Sequence, residues 1–401
     1  MVANLSIKGV ISCRRTTNNL RRDLASRVGG MGLPTLKQIV AAVNCLAPPG
    51  LAEDWDRVGL QVDRAAATVR RVMVALDLNS QVIQASQDER IDGFIVHHPF
   101  FFKPLTRISH TTPQGRILAH LIKNDQFVLV AHTNLDKAAQ GLNQYLAELL
   151  GLTQLAVLEP ATLTSYKVVV FSPEKDAMRL HEAMTAAGAG ELGNYWGCSF
   201  NTQGIGTFYP DKLAKPYIGQ PGNWESVPET RLEMVVSQAK LASVLQTLNA
   251  RHPYEEPAVD IYPIHNSLRH GLGRIGTLPK GMSLKSFGEL VKSKLPAQWL
   301  KVSGDPAREI RKVAICSGSG NSLVETVVQQ QADLYLTGEL NYHAHWEARE
   351  QGLAVIEAGH GATEQCFIPL MSAHLNQVFA TANDLTVLNG VLPEQEPYRV
   401  V

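Results

Sequence analysis

The feature that most constrains this chain is an alternation that occurs twice. Short, nearly continuous apolar runs rich in β-branched residues alternate with stretches whose apolar residues recur at helical spacing. After a helical pattern over Leu36–Leu46, ended by Pro48-Pro49-Gly50, the runs Val69–Leu76, Gly93–Val96 and Phe127–Ala131 read as strands. Ser80–Glu89, Thr112–Asn124 and Gly141–Leu150 read as helices. The rhythm returns near the C-terminus, with strands at Lys312–Cys316, Leu334–Thr337 and Ala354–Glu357 and helices at Ser322–Gln331, His343–Glu350 and Thr363–Leu375. The stretches align by eye: RVMVALDLNSQVIQASQDERIDGFIVHHP with KVAICSGSGNSLVETVVQQQADLYLTGEL, and FVLVAHTNLD with LAVIEAGHGATE. Strands alternating with helices imply a parallel or mixed sheet covered on both faces.

Between the two stretches the pattern changes. Tyr166–Ser172 (strand), Glu174–Ala187 (helix), Phe200–Phe208 and Arg231–Val236 (strands), Leu241–Ala250 (helix) and Ala258–Ile264 (strand) give the order βαββαβ. That is the ferredoxin-like order; the Gly- and Pro-rich segment Ala214–Pro228 joins its middle strands. The expected fold is α/β: a core domain split into two similar βαβ-containing halves with mixed sheets (33–158 and 271–401), with an inserted ferredoxin-like α+β domain at 159–270. Residues 1–32 precede it. They carry Lys8, Arg14, Arg15, Arg21, Arg22 and Arg27 against the single acid Asp23, and are expected to be a poorly ordered extension.

Composition removes several classes of function. The 401 residues hold 37 basic and 37 acidic side chains, so the formal net charge is zero. A dedicated nucleic-acid binder usually carries a basic excess. No apolar run approaches the ~20 residues of a membrane span. The five cysteines are scattered and form no C-x-x-C pair, which argues against a disulfide scaffold or a thiolate zinc site and for a cytoplasmic home.

Three polar groups each follow an apolar strand. His97-His98-Pro99 ends Gly93–Val96, and ligands in open α/β sheets gather at such ends. Alone, the pair reads equally well as two solvated histidines. His360 and Glu364, four apart at a helix start, present one face; alone they read as a helix-terminal pair. Ala131-His132-Thr133-Asn134-Leu135-Asp136 ends in a carboxylate at the matching place in the first half, where a capping Asp is the plain reading. Their coincidence at the edge of one expected sheet changes the balance. Three imidazoles and two carboxylates suit two divalent ions bridged by a carboxylate. Zinc, iron, manganese and nickel all accept such donors.

Other features are weaker. Ser317-Gly318-Ser319-Gly320, between a strand and a helix, is either an anion cradle or an ordinary turn. Glu339 and His343 flank the counterpart of the His97-His98 turn and are candidates for acid/base catalysis, with support of the ligands or plain exposure as the alternatives. Trp55-Asp56 and Gly59-Leu60-Gln61 are candidates for a pocket wall, although a Trp is more usually packed. His252-Pro253-Tyr254-Glu255-Glu256-Pro257 is rich in ligand types but reads as structural or as an interface.

Five segments, EDWDRVGLQV, FIVHHPFFFKPL, AHTNLDKAAQGLN, ADLYLTGELNYHAHW and EAGHGATE, resemble in order the motifs of the NIF-three-like family, whose members are often labelled GTP cyclohydrolase I type 2 homologues. The resemblance covers roughly 33–153 and 272–401. HPYEEPAVDIYPI is similar to the CutA- or PII-like insertion of a long subclass. The chain departs from the pattern at Arg57, where asparagine is frequent. The resemblance implies two divalent metals per subunit held by His97, His98, Asp136, His360 and Glu364, with Glu364 bridging. It also implies a toroidal homohexamer with its metal sites facing an internal cavity. Two functions follow as expectations: a metal-dependent hydrolase acting on a nucleotide or related phosphorylated molecule, or a non-enzymatic metal carrier, sensor or scaffold.

Overall fold

The structure, a computed structural model, describes residues 32–161, 164–192, 195–265, 269–380, 385–390 and 396–398. The Arg-rich segment lies, apart from Gly32, outside the described residues. The chain divides into two compact units, one made of 1–161 with 267–401 and the other of 162–266.

In the first unit the chain enters through helix α1 (Leu36–Leu46). Thr35 caps it, and Thr35 and Gln38 bond each other's backbone N–H in a capping box. Then follow β1 (Gly59–Val62), β2 (Arg71–Ala75), α2 (Ser80–Ser86), β3 (Gly93–Val96), α3 (Pro113–Lys123), β4 (Phe127–Val130), α4 (Thr133–Lys137), α5 (Leu142–Leu149) and β5 (Thr153–Pro160). Asn79 and Thr112 cap α2 and α3, and Pro113 opens α3 where its missing N–H costs nothing.

The second unit holds β6 (Thr164–Pro173), α6 (Glu174–Ala186), β7 (Ser199–Phe208), β8 (Glu225–Ser237), α7 (Gln238–Arg251) and β9 (Val259–His265). Its antiparallel sheet has the order β7-β8-β6-β9, the ferredoxin-like arrangement. Val168, Val170, Leu232, Met234 and Val236 alternate onto the face covered by Leu180 and Met184 of α6 and Val244 and Leu248 of α7. The Gly/Pro-rich connection is shorter than expected: β8 begins at Glu225, and its first residues pair with β7 alone.

The chain returns to the first unit with β10 (Gly271–Ser283), α8 (Leu284–Lys294), β11 (Lys301–Ser303), β12 (Glu309–Ser319), α9 (Val324–Gln329), β13 (Leu334–Glu339), α10 (Tyr342–Glu350), β14 (Ala354–Glu357), α11 (His360–Glu364), α12 (Phe367–Val378) and β15 (Thr386–Asn389). The polar groups do not share one sheet, as the sequence suggested. There are two sheets, ordered β1-β4-β3-β2-β15 and β11-β14-β13-β12-β10-β5. Each has three consecutive parallel strands (β2-β3-β4 and β12-β13-β14) and an antiparallel strand beside the last of them (β1 and β11). This shared order is the structural form of the repeat. β15 crosses back to run parallel with β2.

Strand alternation sorts the core. Val72, Val74, Ile95 and Leu129 of one sheet and Val313, Ile315, Leu336 and Ile356 of the other join one cluster with α1, α5, α8 and α12. Met73, Phe94, Val96 and Val128 face the opposite way, onto α2 and α3. Ala314, Tyr335 and Val355 face α9 and α10. Faces apolar on both sides explain why these strands read as continuous runs.

The helix expected over Thr363–Leu375 is two helices. Pro369 lacks the N–H that would continue a helix from His360, so the chain restarts at Phe367 and the proline falls in the first turn of α12. The helix expected over Ser322–Gln331 opens as a 3₁₀ turn at Asn321–Leu323.

Candidate metal centre

The site forms where loops leave the C-terminal ends of the parallel strands of both sheets. At the end of β3 the N–H groups of His97 and His98 both donate to the Leu76 carbonyl, at 3.2 and 3.0 Å. That shared acceptor turns the chain, so two neighbours that would point apart on a regular strand bring their ring centres within 5.2 Å. His132 precedes α4, which carries Asp136. Gly359, at a φ of +97°, turns the chain after β14 so that His360 and Glu364 share the single turn of α11.

Each imidazole is held through Nδ1. His97 Nδ1 donates to the Ala131 carbonyl at 2.8 Å, and His98 Nδ1 to Asp77 at 2.8 Å. His132 Nδ1 meets Asp56 at 2.9 Å, and His360 Nδ1 meets Glu339 at 3.1 Å. Acceptors on Nδ1 fix the tautomer and free Nε2 as a lone-pair donor, the usual support of a metal-ligating histidine. Glu364 lies among these nitrogens. Its Oε2 is 2.8 Å from His98 Nε2 and 3.2 Å from His360 Nε2, and its Oε1 is 3.7 Å from His97 Nε2. Asp136 Oδ1 is 3.7 Å from His97 Nε2.

The residues fit a divalent metal site. Among the described residues, His97 Nε2 and Asp136 Oδ1 are buried with no hydrogen-bond partner, and a buried polar atom without a partner is costly. Glu364 Oε2 is likewise without a hydrogen bond among the described residues, with two imidazole nitrogens close to it. Two overlapping groups, His97-His98-His132 and His98-His360-Glu364, bring one ligand atom from each residue within 4.8 Å. A mixed nitrogen and oxygen set of this kind suits first-row divalent ions.

Charge follows the same geometry. Burial alone would lower the histidines, but the carboxylates outweigh it. Asp77 and Glu364 raise His98 to about 10, and Glu364 with Glu339 raises His360 to about 9. His97 is raised by Asp136 and Glu364. Burial likewise opposes the imidazoles that hold Glu364 well below the usual carboxylate range. Burial raises Asp136. Asp56, against its own burial, is drawn down to about 2 by His132 and Thr133.

The structure thus brings His97, His98, Asp136, His360 and Glu364 together, with Glu339 hydrogen-bonded to His360. His343 stands apart: it is exposed on α10, with its ring against Tyr342. Sequence reasoning missed the roles of His132, Asp56 and Asp77. Asp77 follows the apolar run Val69–Leu76 as His97 follows the run Gly93–Val96, so reading the residue after every apolar run finds it. The Ser317–Gly320 segment, expected as an anion cradle or a turn, is the end of strand β12 with one residue beyond it. Its N–H groups at 317, 318 and 320 already donate to Asn143, Thr363 and the Glu339 carbonyl. Gly318 has a different use, because a Cβ there would lie 2.2 Å from Glu364 Oε1. Trp55 is not packed inside. It is 53% exposed, stacks on Phe102 at 5.9 Å between ring centres, and both rings meet His132 edge-on. Gly59-Leu60-Gln61, read as preceding the first strand, lies within strand β1.

Arg274 braces the Asp136 segment from β10. It is 1% exposed and donates to Gln144 and to the carbonyls of Gly271, Gly273 and Ala138. Burial lowers it to about 10, still charged at neutral pH.

Residues 34–391 match the family model described as Duf34/NIF3 (NGG1p interacting factor 3). A relative from Bacillus subtilis (strain 168), named GTP cyclohydrolase 1 type 2 homolog, is 38% identical over 328 residues, covering 81% of this chain and 88% of its own. A crystal structure of a Bacillus cereus protein related to NIF3 superposes with a TM-score of 0.78 at 33% identity, covering 92% of this chain and 100% of its own. A crystal structure of a Staphylococcus aureus protein has the same fold, with a TM-score of 0.76 at 24% identity, covering 93% of this chain and 100% of its own.

Proposed function

The chain belongs to the Duf34/NIF3 family, and from that premise we propose that it is a dinuclear-metal hydrolase acting on a nucleotide or related phosphorylated molecule. The observation that carries the proposal is the buried, unpartnered pair His97 Nε2 and Asp136 Oδ1 beside the His98–Glu364–His360 group. Glu364, with one oxygen toward His97 and the other toward His98 and His360, would be the carboxylate shared by two ions. Divalent ions held by these residues would supply Lewis-acid polarisation and a water acidic enough to lose its proton near neutral pH. Asp136 and Glu364 offset the ions' charge. Glu339 orients His360 and, half exposed, exchanges protons with solvent. It takes this role in preference to His343, which touches none of the cluster among the described residues. Trp55 and Phe102 offer exposed ring faces on which a planar base can stack.

The relatives' name makes GTP ring opening the first reaction to assay. Chain loaded with zinc, iron, manganese or nickel in turn is expected to turn over GTP or another nucleotide only when metal is present. Glu364→Ala should abolish turnover, and Trp55→Ala should raise KM more than it lowers kcat. Reversible metal exchange without turnover of any nucleotide would favour the carrier or sensor. The toroidal homohexamer belongs to the same proposal and is supported by the same sequence motifs.

A further inference from the structure

The inserted unit contains a cavity of about 710 Å³, in the size range of small-molecule sites. Its aromatic wall is Phe171, Phe208, Tyr217 and Tyr254. Asp211, Glu229, Glu255 and Glu256 also line it, and among the described residues no Lys or Arg does. Four acidic side chains in the lining favour a cation over a phosphorylated compound, so its ligand class differs from the one proposed for the metal centre.

Glu229 is the informative group. It is 8% exposed, and the Tyr254 hydroxyl donates to its Oε1 at 2.6 Å. Burial and this carboxylate keep the Tyr254 phenol protonated. Among the described residues no Lys or Arg pairs with Glu229; His252, whose ring meets Tyr254 edge-on, feels its charge, but burial lowers that imidazole and favours its neutral form, so the carboxylate lacks the full counter-charge a buried one ordinarily has. The strand opposite makes room for it: a Cβ at Gly206 would lie 2.1 Å from Glu229 Oε2. Two of the rings already carry a cation of the protein. Lys175 Nζ lies 4.8 Å from the Tyr217 ring centre, and Arg231 Cζ 5.6 Å from that of Phe171. Phe208 and Tyr254, with ring centres 6.3 Å apart and planes inclined at 57°, carry none among the described residues.

We propose that this cavity binds a small organic cation, an ammonium or guanidinium compound, with its charge met by Glu229 and its body against Phe208 and Tyr254. A buried carboxylate without a full counter-charge beside open aromatic faces is the arrangement that attracts such a cation.

Calorimetric titration of the full chain with choline, agmatine and the neutral carbon isostere of choline tests this. At least one cation should bind saturably, with the isostere about tenfold weaker or worse. Glu229→Gln should weaken the cation about tenfold or more while the thermal unfolding midpoint and metal content hold. Phe208→Leu, which leaves the carboxylate in place, should weaken it by a smaller factor and serves if Glu229→Gln does not fold. No saturable binding of either cation up to about 10 mM overturns the proposal. So does equal binding of the isostere, or unchanged affinity in both variants.

Discussion

At the residue scale, the site depends on what is absent as much as on what is present. Gly318 sits at a φ of +61° with Glu364 Oε1 where its side chain would begin. Gly318→Ala therefore costs about 1 kcal/mol of left-handed backbone strain and pushes the Glu364 carboxylate off the imidazole nitrogens. The expected outcome is a folded chain whose metal content, by elemental analysis, drops well below wild type. Unchanged metal content would mean that Glu364 moves without loss. The imidazoles teach a related lesson. Four rings point Nε2 inward because Nδ1 is fixed by Ala131, Asp77, Asp56 or Glu339. His97, His98 and His360 were legible because each lies just past an apolar strand, and Glu339 was among the groups read as support for them. The role of His132 was not, since its partner Asp56 lies 76 residues away, a separation that spacing cannot show.

At the element scale, the parallel strands were legible because burial on both faces leaves an unbroken apolar run. β10 was not: its sequence, GLGRIGTLPKGMS, mixes glycines, a proline and a buried arginine, and no apolar period survives. That β10 is nonetheless a strand owes much to Arg274, whose guanidinium satisfies carbonyls that would otherwise be buried unpaired. The break between α11 and α12 was foreshadowed by Pro369, whereas the assignment of the halves to separate sheets is a tertiary fact no local pattern carries. α12 also makes a pH-dependent contact. His374 Nε2 donates to the Ala42 carbonyl of α1 at 2.9 Å, and burial lowers its pKa despite that bond. Above about pH 6.5 the ring is neutral both folded and unfolded, so its contribution is complete; as pH falls further, the unfolded chain takes up a proton that the folded chain refuses, and stability is lost. The stability advantage of wild type over His374→Gln in urea should accordingly shrink between pH 7.5 and pH 5.5. An advantage that holds constant would contradict the assignment.

At the scale of the whole molecule, the chain has two units with their own cores, and the candidate metal centre belongs wholly to the first. No helix among the described residues is long and apolar enough to cross a membrane. The proposed hexamer predicts a native mass by light scattering of six times the 43.8 kDa chain; a monomer at micromolar concentration would contradict it. The central claim, a carboxylate-bridged metal pair, is tested most directly by counting metal per chain in protein purified without chelator, for wild type and Glu364→Ala. About two divalent ions in wild type, falling sharply in the variant, is the result predicted. Little metal in wild type even after reconstitution, or an undiminished pair in Glu364→Ala, would contradict it.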